Sequence, residues 1–384
     1  MTNPYNFDNC PNRQQSDSIK YDRYAGRDIL PMWVADMDFE VAEEITAAMK
    51  IRLEHPIYGY THVPGRLNEL VIERMQRLYQ WSVKPEWLVW LPGVVTGVNV
   101  ACRSLGNNGD QILSPAVVYP HITQAPTLHD RCLQQVPMVL KYKRWIMDLA
   151  WLAARSDAKD KALLLCNPHN PGGGVYRHDE LMTLAGLAES KNLVIVSDEV
   201  HCDLILQPGL KHIPIASLHK SIEKRCITLM AASKTFNLAG LGCAFAIIPD
   251  PKLRKNFKWA NQGIVPYVNL MGYISTQAAY QHGEKWHQQV LDYLRGNRDY
   301  LVDKINQIQG LKLDPIEATY LAWIDVSALQ LGNPQRFFEA AGVGCSAGSE
   351  FGDNDFIRLN FGCSRNRLEQ AVARIHKTVI ERSA

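Results

Sequence analysis

The chain has 384 residues, 46% hydrophobic and 21% charged, with 41 Lys and Arg against 39 Asp and Glu for a net charge of +2. This length exceeds one typical domain and buries roughly three quarters of the unfolded surface, which excludes a disordered, collagenous or fibrous state. So balanced a charge offers no electrostatic case for a nucleic acid or an anionic membrane, and it points to small-molecule ligands.

The N-terminal stretch Met1 to Asp8 lacks the basic and apolar regions of a secretory signal, so a cytoplasmic location is expected. The longest uncharged stretch, Trp87 to Cys102, is interrupted by Pro92, Gly93 and Gly97, and no membrane-spanning helix is expected. Nine cysteines make an odd count without a Cys-x-x-Cys pair, which favours buried reduced thiols over disulfides or a zinc site.

In chain order, strands are predicted at Trp87 to Leu91, Gln111 to Ser114, Ala162 to Cys166, Leu193 to Ser197, Cys226 to Met230 and Cys243 to Ile248. They alternate with helix-period segments, the pattern of an α/β protein with a large, mostly parallel sheet covered by helices on both faces. One crossover helix, His178 to Lys191, carries Leu181, Leu184, Ala185 and Ala188 on one face. Further on come a long helix at Glu284 to Gln309, strand-like segments within Leu311 to Val326, and an amphipathic helix at Arg367 to Glu381. The last helix shows Leu368, Val372, Ile375 and Val379 as its stripe, with Asn366 and Glu369 as a capping pair. A boundary near residue 280 is expected, giving a large domain of residues 27–280 and a smaller α+β domain of residues 1–26 and 281–384.

Ligands of open parallel sheets bind beyond the carboxyl ends of the strands, so the residues after each strand should converge. Pro92 to Gly97 reads either as a tight turn or as an anion cradle at a helix N-terminus. Asn167-Pro168-His169-Asn170-Pro171 offers two Asn side chains, and Asp198-Glu199-Val200-His201 sets a carboxylate at a strand end. A buried Asp is rare unless paired, so Asp198 should meet a cation or serve as a cap. Lys234 stands among small and apolar residues, which disfavour its ammonium and push it toward the neutral nucleophile of a Schiff base. An anion cradle, an Asn, a carboxylate and a desolvated lysine together match a pyridoxal phosphate site.

At that point the chain resembles fold type I pyridoxal-phosphate enzymes of the aspartate aminotransferase superfamily, and among them the MalY/PatB-type cystathionine β-lyases. The resemblance runs over nearly the whole chain. It rests on the stretch Leu30 to Phe39, Tyr58-Gly59-Tyr60, the Asn-Pro-His-Asn-Pro loop, Asp198 to His201, Ser233 to Asn237, and Phe356 to Asn360. It implies that Lys234 carries the Schiff base, that Asp198 pairs with the pyridinium nitrogen, and that Asn170 hydrogen-bonds the ring hydroxyl. Tyr119 would stack on the ring, though a strand-end core tyrosine reads equally well. Gly93, Val94 and Val95 would cradle the phosphate, and Ser233 and His201 would stand close to the cofactor. Tyr60 would reach the phosphate from a neighbouring subunit of a homodimer. Lys234, Tyr119 and Tyr60 are thus the expected catalytic residues, and Arg358 and Asp36 the expected substrate-binding ones.

The sequence departs from its family at three positions: Ala231 replaces a common phosphate-binding Ser, Gly172 a Thr, and Gly242 the phosphate-binding Arg of aminotransferases. The last substitution is shared by the β-lyase group, and the resemblance leaves Ser233 with the backbone turn to compensate for the first. The activity implied is α,β-elimination from a cysteine S-conjugate, giving pyruvate, ammonia and a thiol. An aminotransferase, and a regulatory protein binding a transcription activator, are the alternatives.

Overall fold

The computed structural model describes residues 5–155 and 157–383; residues 1–4, part of the stretch read above for a targeting signal, lie outside them. Seven strands form the main sheet: β1 (Leu88–Leu91), β2 (Gln111–Pro115), β3 (Cys132–Val136), β4 (Asp160–Cys166), β5 (Val194–Asp198), β6 (Cys226–Met230) and β7 (Ala244–Ile247). Their spatial order is β1-β7-β6-β5-β4-β2-β3. Strand β7 runs antiparallel to both its neighbours, and the remaining pairs are parallel.

Alternation along the strands divides the interior into two cores. On β4, Leu163 and Leu165 face the core shared with Leu181, Leu184, Ala185 and Ala188 of the helix His178–Ser190. Ala162, Leu164 and Cys166 face the opposite core, with Val98 and Ala101 of the helix Val94–Ser104. A sheet buried on both faces needs apolar side chains at odd and even positions alike, and this is why its central strands read as unbroken apolar runs.

Strand β3 escaped sequence analysis for the converse reason. It is an edge strand, and its Cys-Leu-Gln-Gln-Val sequence buries only Val136. Trp87 lies in a short 3-10 turn ahead of β1.

The C-terminal part builds an antiparallel sheet from Lys312–Leu313, Leu321–Asp325, Phe356–Asn360 and Ser346–Ala347. The helices Glu284–Ile305 and Arg365–Ser383 pack upon it, with Leu294, Leu301, Leu368 and Ile375 in one core. The first helix ends four residues sooner than the expected Gln309, where the Asn306 side chain exchanges two hydrogen bonds of 2.9 Å with the Leu313 backbone. The expected Asn366–Glu369 cap is replaced by Ser364, whose oxygens accept from the Arg367 and Leu368 amides.

The N-terminal contribution to this part extends past residue 26. Leu30–Pro31 pairs in parallel with Val343–Gly344, and the Asp38 amide donates to the Gly362 carbonyl. Asp38 is buried between Lys20 at 2.9 Å, Arg13 at 3.0 Å and Arg367 at 3.5 Å. Burial opposes its charge, but the three cations hold its carboxyl below the usual range. Lys20 is itself only 1% exposed, so removing Asp38 leaves its buried ammonium beside Arg13 and Arg367 with only the longer Asp36 ion pair of 3.4 Å. Asp38→Ala is therefore expected to lose about 3–5 kcal/mol of stability in denaturant titration. A loss below about 1 kcal/mol, the worth of an exposed pair, refutes that role.

Candidate active site

The carboxyl ends of the parallel strands open into a cavity of about 670 Å³. Gly93, Val94 and Val95 follow β1, Tyr119 follows β2, Asn170 follows β4, Asp198 ends β5 with His201 three residues on, and Ser233 and Lys234 follow β6. Arg358 enters from the C-terminal sheet, and Trp33, Val34 and Ala35 from the N-terminal segment. Ten of the twelve expected site residues thus share one cavity.

Lys234 donates from Nζ to the Ala35 carbonyl at 2.7 Å, an acceptor it shares with the Tyr320 hydroxyl at 3.0 Å. Burial and the Arg358 charge push its amine down to about 8, against the pull of Asp36 and Asp198. The amine is therefore far closer to its neutral, nucleophilic form at neutral pH than a solvated lysine. Asp198 shifts the other way, up to about 6, because burial outweighs the Val200 amide that donates to it at 3.1 Å and the more distant Lys234 charge. Among the described residues no cation pairs with this carboxylate.

The turn carrying Asp198 is held from behind. Glu199 accepts from Ser197 Oγ at 2.9 Å and meets His212 Nε2 at 2.7 Å, while Asp203 is ion-paired with Arg74 at 2.5 Å. His201 turns its ring edge to Tyr320, is kept neutral by burial with its pKa pushed down to about 3, and leaves Nδ1 without a partner.

Asn167 and Asn170 divide their tasks. Asn167 is fully buried away from the cavity and accepts from the Tyr176 amide at 3.2 Å, whereas Asn170 lines it. Asn170 Oδ1 accepts from Arg358 Nη1 at 3.0 Å, which leaves its Nδ2 donor for a ligand. Arg358 also donates to the Trp33 carbonyl at 2.8 Å and to Ser346 Oγ at 3.3 Å, with the Phe351 ring 4.5 Å away. Burial pushes its guanidinium down to about 10, and its Nε donor has no partner. A buried cation with a spare N–H is suited to a carboxylate.

Beneath the cavity floor, Gly97 donates the first hydrogen bond of the helix Val94–Ser104, to the Gly93 carbonyl. The amides of Val94, Val95 and Thr96 precede it, so they have no helical acceptor and suit an anion. The departures from the family pattern have local causes. Ala231 packs with Val94, Val200 and Ala244 in an apolar cluster. Gly172 has no room for a side chain, since a Cβ there would lie 2.8 Å from His169 Nδ1 and 3.0 Å from Trp145 Cβ. Gly242 takes a left-handed φ of +53° with the Pro92 carbonyl 3.1 Å from any Cβ.

Two expected residues lie outside the cavity. Asp36 is not a lining residue; its carboxylate is ion-paired with Arg13 at 2.7 Å and Lys20 at 3.4 Å, and its segment lines the cavity through Trp33 to Ala35 instead. Tyr60 projects from the chain fully exposed. Sequence analysis passed over His121, Gln124, Glu350 and Phe351, which are among the other lining residues, and Tyr320 behind it. The first two follow Tyr119 directly after β2, where the strand-end rule already pointed; Glu350 and Phe351 come from a short turn of the other sheet, with no signal in their spacing.

The cavity's shape and chemistry fit pyridoxal phosphate: unpaired amides for a phosphate, an uncompensated carboxylate for a ring nitrogen, an Asn donor and a near-neutral lysine. Residues 28–375 match the family described as aminotransferase class I and II. The chain is 34% identical over 385 residues to cystathionine beta-lyase PatB of Bacillus subtilis (strain 168), covering 96% of this chain and 98% of that protein. Among solved structures it resembles OvoB, with a TM-score of 0.95 and 44% identity over 98% of this chain and 99% of that one. The PLP-bound C-S lyase from Staphylococcus hominis gives a TM-score of 0.92 at 29% identity, over 98% of this chain and 99% of that one. With the sequence matched across both sheets and the strand-end residues gathered in one cavity, the chain belongs to the aminotransferase class I and II family.

Proposed function

We propose that this protein is a pyridoxal-phosphate-dependent carbon–sulfur β-lyase acting on cysteine S-conjugates of the cystathionine type. One observation carries the reading: Lys234, Asp198 and Arg358 share a cavity, and each has its pKa displaced toward the neutral form by burial. Full-length similarity to proteins named as cystathionine or C–S lyases supports elimination over transamination.

When bound, pyridoxal phosphate supplies an electron sink for the pair left behind as the substrate Cα loses its proton. The ionised Asp198 carboxylate would hold the ring nitrogen in its protonated form, and the Asn170 Nδ2 donor would meet the ring hydroxyl. Arg358 grips the substrate α-carboxylate. Lys234 Nζ, once free, takes the Cα proton. The Cβ–S bond breaks, the sulfur leaves as a thiol with a proton, and water converts the remaining three carbons to pyruvate and ammonia. Equal amounts of thiol, pyruvate and ammonia are expected from cystathionine without an added keto acid, and Lys234→Ala is expected to abolish all three. A requirement for a keto-acid acceptor, with no thiol released, establishes an aminotransferase instead.

The nine cysteines are unpaired, which supports a reducing, cytoplasmic location. A homodimer is supported by the exposed Tyr58, Tyr60 and Tyr267, whose two segments are joined where Val63 packs against the cluster holding Val268. The reading assigns residues 40–280 to the cofactor domain and the rest, Leu30–Pro31 and Asp38 among them, to the smaller one.

Two further outcomes are expected. The amine of Lys234 is nucleophilic only when neutral, so capture of pyridoxal phosphate by the cofactor-free protein should speed up as pH rises through about 8 and level off above it. Stopped-flow absorbance checks this, and a midpoint near the solvated-lysine value of about 10.4 refutes the lowered pKa. In the second, inactive Lys234→Ala and Tyr60→Ala chains are dissociated and mixed. Half of randomly paired dimers are hybrids with one intact site, so about a quarter of wild-type activity is expected to return. Hybrids that form without regaining activity remove Tyr60 from the partner's site.

A further inference from the structure

The ionisable groups lining the cavity outnumber the tasks assigned to them. Lys234, Asp198 and Arg358 are each engaged by the reaction, and His201 is buried and neutral. Among the described lining residues, Glu350 is the one carboxylate left without a task. It sits in the short turn Gly348–Phe351, and among the described residues its carboxylate makes no ion pair within 4 Å.

The turn holding Glu350 is fixed on both sides. The Phe351 carbonyl accepts from the Val118 amide at 3.1 Å, and the Phe351 ring lies 4.5 Å from the Arg358 guanidinium. Gly348 is hemmed in by the carbonyls of Asp353 and Phe356, each 2.2 Å from where a Cβ would stand. The backbone of Glu350 therefore stands next to both the carboxylate-binding arginine and the strand end that carries Tyr119. Its side chain is exposed at the cavity, and its charge favours the charged form of Arg358. On the adjoining helix Pro120–Leu128, His121 and Gln124 add polar groups to the lining, while Ile19 and Trp33 add apolar surface.

A carboxylate in this position has little to offer the reacting end of an amino-acid substrate. The α-carboxylate belongs to Arg358 and would be repelled by Glu350. The α-amino group must be neutral to attack the cofactor, and an anion beside it would hold its proton on. What remains is the part of the substrate beyond sulfur, which departs with the thiol.

Building on the β-lyase reading, we propose that Glu350 forms a distal subsite selecting S-conjugates whose leaving thiol carries a cationic nitrogen. The methylenes between sulfur and nitrogen lie against Ile19 and Trp33, and the cation is held by Glu350 with His121 and Gln124 beside it. Neutral thiols of the same length lose the ion pair, and anionic ones are repelled.

S-(2-aminoethyl)cysteine and S-propylcysteine test this directly, since they have the same length and differ by an ammonium in place of a methyl. The wild-type protein is expected to show the higher kcat/KM for the aminoethyl compound. In E350Q the ratio of the two values is expected to fall about five-fold, the upper worth of a partly solvated ion pair. In E350K the preference is expected to invert, and the wild-type preference to shrink as ionic strength rises. Each ratio is measured within one preparation, so a change in the active fraction cancels. Thiol release from both compounds with the same ratio in all three proteins overturns the subsite and leaves the lyase reading standing. No thiol release from either compound by a wild-type protein that does cleave cystathionine overturns the subsite alone, whereas no release from cystathionine either removes the lyase reading, and the subsite with it.

Discussion

Arg358 is where three distant stretches of the chain meet. It comes from a strand of the C-terminal sheet, yet its guanidinium reaches Asn170 beyond β4, the Trp33 carbonyl of the N-terminal segment, and Ser346 of the neighbouring strand. A planar fork of five donors can serve several acceptors at once, which a lysine cannot. All its partners here are neutral, so the hydrogen bonds fix its direction without cancelling its charge. The same contacts orient the Asn170 amide and close the cavity between the two sheets. A carboxylate ligand arriving at Nε thus meets a cation already aimed and already stripped of water.

The sheet topology explains why so many unlike residues converge. Strands β1, β2, β4, β5 and β6 all end on the same side, and each is followed within ten residues by side chains or backbone that line the cavity. The reversed strand β7 contributes from its beginning, where Gly242 and Cys243 precede it. Turns are the least rigid part of such a sheet, and this one is stiffened where the chemistry demands it. The Glu199–His212 pair and the Arg74–Asp203 pair grip the turn on either side of His201. In the Asn-Pro loop, His169 Nδ1 accepts from the Gly172 amide and Nε2 donates to the Val117 carbonyl, a tautomer kept neutral by burial. Gly172 follows from that arrangement, because a larger residue displaces the imidazole that locks the loop.

What the sequence made legible was set by periodicity and by strand ends. The central strands are buried on both faces, so their apolar runs announce them, and the residues after them fall into the cavity as the topology requires. Strand β3 was silent because an edge strand needs little apolar surface. Asp36 illustrates a different limit. Its stretch does reach the site, but which atoms face the cavity depends on Arg13 and Lys20, whose approach no local pattern encodes. Glu350 and Tyr320 belong to the other sheet, and only the packing of the two sheets brings them to the site. The helix ends were misjudged by a few residues for similar reasons, since Asn306 and Ser364 act through side chains that a hydrophobic stripe does not report.

The opposite shifts at Lys234 and Asp198 have a single cause. Burial penalises whichever form is charged, so it lowers the amine to about 8 and raises the carboxyl to about 6. Between those two values the polypeptide alone holds both groups predominantly charged in the cavity, each favouring the other's charge at a distance too great for a hydrogen bond. The signs follow. A carboxyl with a raised pKa favours the folded state below its unfolded value of 3.8, and that contribution fades as pH climbs through 6. An amine with a lowered pKa favours folding at the alkaline end, above its unfolded value, and that contribution fades as pH falls through about 8. The window between is where this site weighs most on stability, and it is also where a ligand that protonates beside Asp198 and bonds covalently to Lys234 relieves both penalties together. Affinity for such a ligand therefore draws on a desolvation penalty already present in the fold, and because the covalent bond takes the amine in its neutral form, that affinity climbs as pH rises toward about 8.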